Sequence, residues 1–131
     1  MQNYKDFHRQ DGPKLKIAIK QRGYNFSLNI IKFIDTLNKQ NFTVSVIIKQ
    51  LLRSATSIGA NIIEGQAASS RKDFISFLNY ALKSANETRF WLSLLKDSNK
   101  TAPDRTNPLI QETIELANIL AASLLTLRDK K

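Results

Sequence analysis

The scarcity of helix-breaking residues is the feature that most constrains the fold of this chain. The sequence has only four glycines and three prolines among 131 residues. Its prolines lie outside the long stretches in which apolar residues repeat every three or four positions. This spacing predicts long amphipathic helices and gives no clear strand. We therefore expect an all-α fold, an antiparallel up-down-up-down four-helix bundle.

Turn residues set the expected limits of the first two helices. The first is predicted from about Pro13 or Arg22 to Leu37. The second is predicted from about Thr43 to Glu64, with Gly65 as the residue that ends it. Gly59 lies inside the second helix, where we expect it to permit the close approach of another helix.

The third and fourth helices are predicted from their start signals. Ser70 and Asp73 match a capping box, so the third helix is expected to begin at Ser70 and to end near Asp97. Asn107 and Pro108 match an N-cap followed by proline at the first helical position, which predicts the start of the fourth helix. The connections are short, and this makes sequential helices antiparallel neighbours.

The core side of the first helix is predicted from its apolar periodicity. The main stripe is Tyr24, Leu28, Ile31 and Ile34, and it is widened by Phe26, Ile30, Phe33 and Leu37.

Positive charge is concentrated in the first half of the chain. The 20 Lys and Arg residues against 11 Asp and Glu give a net charge of +9. Residues 1–60 carry ten basic and three acidic residues, a net of +7, whereas residues 61–131 carry a net of +2. We divide the chain into a basic arm or helix extension, residues 1–20, and a bundle domain, residues 21–131. The excess predicts a polyanionic partner, although a generic soluble surface is the alternative.

The composition excludes most catalytic and metal-binding classes. There is no cysteine and only one histidine, His8, so thiol chemistry, Cys-based zinc sites and the histidine-containing di-iron sites of bundles are ruled out. We expect no enzyme activity, no cofactor and no metal. The N-terminus has no apolar signal segment, and no uncharged apolar stretch reaches the length of about 20 residues that a bilayer requires. The chain is therefore expected to be soluble and cytoplasmic, without a membrane partner.

Candidate nucleic-acid contacts are taken from the basic half and from the start of the third helix. Two cations at a helix N-terminus are unfavourable unless an acidic side chain or an external phosphate lies nearby, and we leave both possibilities open. The candidates are Lys14, Lys16, Lys20, Arg22, Lys49, Arg53, Arg71 and Lys72.

The third helix is predicted to be apolar on two opposite sides. One side can face the bundle core, and the other, with Phe77, Tyr80, Trp91, Leu94 and Leu95, suggests a neighbouring subunit. Glu87 lies within this second side, so we expect a buried ion pair with Lys49 or Arg53 on the second helix.

A polar stripe on the second helix is a solvated face, part of the same subunit interface or a direct ligand contact, and we leave these three interpretations open. The candidate interface residues are Arg53, Ser57, Asn61, Glu64, Tyr80, Ser84, Glu87 and Trp91.

Three motifs in order resemble a known family. They are Leu51-Leu52-Arg53-Ser54-x-Thr56-Ser57-Ile58-x-Ala60-Asn61-Ile62-x-Glu64, then Ser70-x-Lys72-Asp73-Phe74, then Leu82-x-Ser84-x-x-Glu87. The pattern is similar to the four-helix bundle proteins encoded in intervening sequences of bacterial large-subunit ribosomal RNA genes. The accessory variability determinant of diversity-generating retroelements is a relative of that family.

The resemblance implies a homopentameric ring with a basic surface, nucleic-acid association and, in the retroelement branch, binding to a reverse transcriptase and its RNA. The family's recurring polar positions correspond to Arg53, Ser57, Asn61, Glu64, Lys72, Ser84 and Glu87, with a mainly architectural role. Gly59 departs from the proline of many relatives, and residues 1–20 lie outside the shared pattern.

The sequence thus predicts an oligomeric basic bundle that binds nucleic acid, RNA in preference to DNA, through phosphate contacts. Two alternatives remain. One is an adaptor whose helix faces dock another protein, such as a reverse transcriptase or a ribonucleoprotein component. The other is binding to an anionic membrane through the segment Lys14–Lys20.

Overall fold

Four long helices make up the protein. The computed structural model describes residues 12–129, with side chains from residue 19 onward. The helices are α1 (Gly12–Asp35), α2 (Phe42–Gln66), α3 (Arg71–Asp97) and α4 (Pro103–Asp129). Each helix packs against the next, and α4 packs against α1. Over the described residues the fold is therefore the predicted all-α, up-down-up-down four-helix bundle.

The structure shows the predicted cap of α3, and α2 begins in the same way. The Asn41 Oδ1 atom accepts a hydrogen bond from the Val44 backbone N–H at 3.1 Å. Ser70 Oγ accepts one from the Asp73 N–H at 3.1 Å. In both cases the side chain satisfies a backbone donor that the first turn leaves without an intrahelical partner.

The predicted start of α4 is wrong. The helix begins at Pro103, and Pro108 lies inside it. Pro103 suits the first helical position, and Asp104 supplies a carboxylate to the first turn, where the helix dipole favours negative charge. Pro108 removes only one hydrogen bond of the helix, the bond to the Asp104 carbonyl. The buried Thr106 side chain then anchors this first part of α4 to the core.

Gly65 does not end α2. The helix continues to Gln66, and Ala67 caps it. A Cβ atom placed on Gly65 would lie 3.1 Å from the Cβ of Phe77. Gly65 therefore permits the close packing of α2 against α3, and does not terminate the helix.

The expected close approach at Gly59 is confirmed, and its partner is Gly23. A Cβ atom on Gly23 would lie 3.0 Å from the Gly59 Cα, and one on Gly59 would lie 3.2 Å from the Gly23 carbonyl oxygen. The backbones of α1 and α2 are thus in contact at this crossing, which only paired glycines allow without a shift.

The predicted core stripe of α1 is only partly correct. Tyr24, Leu28 and Ile31 are 56%, 39% and 43% exposed. The contact of Gly23 with Gly59 fixes the rotation of α1 about its axis. This rotation turns the Tyr24, Leu28 and Ile31 side chains toward solvent. The α1 residues that lie in the core are instead Ile19, Phe26, Ile30, Phe33, Ile34 and Leu37.

The domain boundary suggested near residue 20 has no counterpart in the course of the backbone. Helix α1 runs from Gly12 through this point without a break, and Ile19 is buried in the core. Residues 1–11 of the suggested arm lie outside the described residues.

The α2–α3 interface contains a pair of buried hydroxyl groups. Thr88 Oγ1 lies 2.9 Å from Ser54 Oγ and 2.7 Å from the Ser84 carbonyl oxygen. Both side chains are fully buried. Their mutual contact satisfies polar groups that would otherwise be costly in the core.

Candidate interaction surfaces

Two regions of the molecule carry the candidate functional residues. We call the outer surface along α2 and α3 the α2–α3 seam, and the surface along α1 and α4 the α1–α4 seam. The contacts Arg53–Glu87 and Ser54–Thr88 set the antiparallel register of the first. This register places Ser57 at the level of Ser84, so the predicted interface residues share one surface.

The Arg53–Glu87 ion pair is the centre of the α2–α3 seam. The guanidinium of Arg53 bonds to Glu87 Oε2 and to Gln50 Oε1, the latter at 3.1 Å. Glu87 Oε2 also accepts from the Trp91 indole Nε1 at 2.9 Å. Glu87 is thus held from two sides, by α2 and by its own helix.

The prediction that this ion pair is buried is wrong for the single chain. The Arg53 and Glu87 side chains are 56% and 35% exposed. The pair lies on the outer surface because Glu87 faces away from the core that Thr88 and Leu92 fill. Such an exposed pair contributes only about 0–1 kcal/mol to stability in the monomer.

The polar stripe of α2 is satisfied largely by its own helix. Ser57 Oγ donates to the Arg53 carbonyl at 2.7 Å, and Asn61 Nδ2 donates to the Ser57 carbonyl at 2.8 Å. Glu64 is exposed. The Ser57 and Asn61 side chains therefore lie against α2 and do not project far from the surface of the α2–α3 seam.

The second side of α3 is exposed and partly aromatic. Tyr80, Phe90 and Leu94 are all exposed, and Phe90 packs edge-on against Trp91 with ring centroids 4.9 Å apart. Leu95 is an exception to the prediction because it is fully buried in the core. The sequence prediction did not include Phe90, although it lies four positions before Leu94, a spacing that puts two helical residues on the same side.

The eight predicted nucleic-acid contacts do not form one group. Lys20, Lys49 and Lys72 are exposed, whereas Arg71 is half-buried. Lys14 and Lys16 lie in the first turns of α1, and their side chains are outside the described residues. Arg53 is held by Glu87, and Arg22 is paired across the α1–α4 seam.

The start of α3 presents two cations beside a capped helix end. Arg71 and Lys72 line a shallow depression with Ile75 and Ser76. Asp73 accepts a hydrogen bond from Ser69 Oγ at 3.2 Å, so a carboxylate also lies within this first turn. The carboxylate supplies part of the negative charge that the helix dipole favours there.

Arg22 joins α1 to α4 through two carboxylates. Its Nη2 lies 2.6 Å from Glu112 Oε1 and 2.9 Å from Glu115 Oε1. The hydrogen bonds that Arg22 donates to Glu112 raise the pKa of Arg22, so the guanidinium stays charged. The hydrogen bonds from Gln111 and Arg22 lower the pKa of Glu115. No local pattern links Arg22 to these two carboxylates, because Glu112 and Glu115 lie 90 and 93 positions from it along the chain.

Next to this cluster, an open groove of about 510 Å³ lies between the C-terminal part of α1 and the N-terminal part of α4. Its lining combines polar side chains with parts of core residues. The lining residues are Asn25, Phe26, Asn29, Lys32, Phe33, Thr36, Arg105, Pro108, Leu109 and Glu112.

Charge differs between the helices that form these seams. Helix α1 carries five basic residues and one acidic residue, whereas α4 carries two basic and four acidic residues. The excess positive charge therefore lies on the α1 side of the bundle and not on α4.

Within residues 12–129, no group of three His, Cys, Asp or Glu side chains is arranged to hold a metal ion. Among the described residues, helix α4 is long and apolar enough to cross a membrane, judged by length and composition alone. The core helix of a soluble protein meets the same criterion.

A family model of the 23S rRNA-intervening sequence protein matches residues 15–122. The chain belongs to this family. The match covers all of α2 and α3 and most of α1 and α4, so the shared pattern extends into the segment 1–20 that the sequence analysis set apart. No curated protein matches the chain.

A solved structure of similar fold supports the assignment. It is the 1.70 Å crystal structure of a protein of unknown function from the S23 ribosomal protein family of Bacteroides thetaiotaomicron VPI-5482. The two chains are 38% identical with a TM-score of 0.76, and the match covers 83% of this chain and 96% of the other.

Proposed function

We propose that this protein is a non-enzymatic, cytoplasmic, oligomeric bundle that binds structured RNA through phosphate contacts. The observation that carries the proposal is the uneven distribution of charge, with five basic residues and one acidic residue on α1 against two basic and four acidic residues on α4. The family supports an RNA-related role, since its description refers to an intervening sequence of 23S rRNA.

Exposed lysines are the side chains best placed for phosphate contacts. Lys20, Lys49 and Lys72 are solvent-exposed, whereas Arg22 and Arg53 already neutralise carboxylates of the same chain. Binding through such lysines releases counterions from RNA, so affinity falls as salt rises. We expect low sequence specificity, because phosphate contacts position a protein without reading bases.

The binding proposal is tested by charge reversal. In about 50 mM salt, the wild type is expected to bind a structured RNA, and the double variant Lys20→Glu, Lys72→Glu to bind at least about tenfold more weakly. The slope of log affinity against log salt is expected to fall by about two. The control is Lys83→Glu, Lys100→Glu, which makes the same change in net charge at positions outside the predicted set. An equal loss in the control, or no RNA binding by the wild type, contradicts the proposal.

Oligomerisation completes the proposal, with the α2–α3 seam as the contact surface and a pentamer as the expected assembly. The exposed Tyr80, Phe90 and Leu94 side chains give this seam apolar area that a neighbouring subunit can bury. In an oligomer the neighbouring subunit removes water from the outer side of the Arg53–Glu87 pair. The geometry of the pair then affects stability more strongly in the oligomer than in the monomer.

Native mass measurement tests the assembly. The wild type is expected at five times 14.9 kDa, and Glu87→Gln is expected to shift the population toward smaller species. Asp35→Asn, an exposed carboxylate on α1, is the matched control. A monomeric wild type, or an unchanged mass and melting temperature for Glu87→Gln, contradicts this part. A protein partner that co-purifies after nuclease treatment supports the adaptor alternative instead.

A further inference from the structure

The groove between α1 and α4 has the size and the lining of a ligand site. Its volume of about 510 Å³ lies within the range of pockets that hold small organic molecules. Phe26, Phe33 and Leu109, which belong to the core, give it an apolar floor. Neither the RNA-binding lysines nor the predicted subunit contact of the proposed function uses this groove.

The walls of the groove carry hydrogen-bonding and charged groups above that floor. Asn25 and Asn29 project from α1, and their amides have both donor and acceptor capacity. Thr36 directly follows α1, and its hydroxyl already donates to the Phe33 carbonyl at 2.7 Å. Lys32 stands on the α1 side and Arg105 on the α4 side, and both are exposed. An anionic group at the rim thus meets a cation from each helix.

The one carboxylate in the lining does not cancel this positive charge. Glu112 is bound by Arg22 through two hydrogen bonds, of 3.0 Å from Nε and 2.6 Å from Nη2. Arg22 is shared with Glu115, so this cluster of one guanidinium and two carboxylates carries a net charge of −1. Lys32 and Arg105 together carry +2, so an anion at the rim of the groove still meets a net positive charge.

We propose that this groove binds one unpaired nucleotide of an RNA, with the base against the apolar floor and a phosphate between Lys32 and Arg105. The proposal rests on the RNA-binding function inferred above. An unpaired base offers a flat apolar face and a hydrogen-bonding edge, which match the floor and the Asn29 amide. The Arg105 guanidinium can bind phosphate or stack on the base, whereas Lys32 acts as a point charge.

The test compares two RNA hairpins that differ in one unpaired nucleotide. The wild type is expected to bind the bulged hairpin at least about fivefold more tightly than the fully paired one, as measured by fluorescence anisotropy. Asn29→Leu removes the hydrogen-bonding amide without a change in charge, and Arg105→Gln removes a cation of the rim; both variants are expected to lose this preference. The affinity of Asn29→Leu for the paired hairpin is expected to stay within about twofold of the wild-type affinity.

Controls separate this inference from the proposed function. Lys83→Gln removes one exposed cation on α3, outside the groove, and is expected to keep the preference. Equal wild-type affinity for the two hairpins overturns the groove assignment and leaves RNA binding intact, whereas no binding of either hairpin overturns both. A preference that survives Asn29→Leu and Arg105→Gln, in variants that melt like the wild type, also overturns the groove assignment.

Discussion

The α2–α3 and α1–α4 seams are built from different kinds of residues, although both join neighbouring antiparallel helices. At the α2–α3 seam, Gly65 brings the backbone of α2 against Phe77, and Ser54 and Thr88 meet in the core. At the α1–α4 seam, the helices are joined by Arg22 and two carboxylates and then part around a groove of about 510 Å³. Small residues let α2 and α3 pack closely beneath the Arg53–Glu87 pair, whereas α1 and α4 are joined by a charged cluster beside an open groove.

This difference assigns different roles to the two sides of the bundle. A closed seam excludes water and contributes packing free energy, which a single added methyl group can disrupt. An open seam contributes less packing but leaves polar groups such as Asn29 and Arg105 accessible to a ligand. Four measurements test this difference between the two seams.

The largest effect is expected for Gly65→Val at the closed seam. A Cβ atom alone would lie 3.1 Å from the Phe77 Cβ, and the valine methyl groups require α2 and α3 to separate. Overpacking of this kind costs about 1–3 kcal/mol in the free energy of unfolding, measured by urea denaturation. Ala60→Val, at an exposed position on the same helix, is the control and is expected to cost less than about 1 kcal/mol. Equal losses in the two variants contradict the close packing at Gly65.

A smaller loss, about 1–2 kcal/mol, is expected for Thr88→Val. The side chain keeps its shape but leaves the buried Ser54 hydroxyl with only its contact to the Leu51 carbonyl at 3.3 Å. The double variant Ser54→Ala, Thr88→Val removes both hydroxyl groups and is expected to lose less than the sum of the single losses. Strict additivity in urea denaturation contradicts a direct coupling of the two side chains.

The closed seam is also the side of the molecule that the sequence predicted best. The Ser70 cap follows from a local pattern. Antiparallel counting across one connection limited the charged partner of Glu87 to Lys49 or Arg53, and the structure shows Arg53. At the neighbouring α1–α2 crossing, Gly59 was likewise assigned correctly to a close helix contact. These features depend on short distances along the chain or on one turn, and periodicity reports them well.

The features that the sequence did not reveal depend on how separate helices meet. The rotation of α1, which exposes Tyr24, is set by the contact of Gly23 with Gly59, and apolar periodicity alone favoured two overlapping stripes. Gly65 was read as a helix end because glycine serves both purposes. The pairing of Arg22 with Glu112 joins the first and last helices, and no local pattern reports such a contact.

At the open seam, Arg22→Gln is expected to cost less than Thr88→Val, about 1 kcal/mol or less. The cluster is partly exposed, with 34% of the Arg22 side chain accessible, so water screens its charges. The loss is expected to shrink as salt rises toward about 1 M, because exposed charges are screened within a few ångströms there. Lys20→Gln, an exposed α1 cation, is the control. A salt-independent loss indicates that Arg22 acts through packing and not through charge.

The smallest effect is expected in the pH dependence of the same variant. The hydrogen bonds from Gln111 and Arg22 hold the pKa of Glu115 below its ordinary value of 4.5. A carboxylate with a lowered pKa in the folded state contributes stability above its unfolded pKa, and this contribution is lost as pH falls through the folded value. The difference in the free energy of unfolding between wild type and Arg22→Gln is therefore expected to be constant from about pH 7 to about pH 5.5 and to narrow below 4.5. Gln111→Ala removes the other hydrogen bond to Glu115. Its difference from wild type in the free energy of unfolding is expected to narrow in the same pH range. A difference that widens in acid contradicts the pairing, because it would mean that protonated Glu115 is the form the fold prefers.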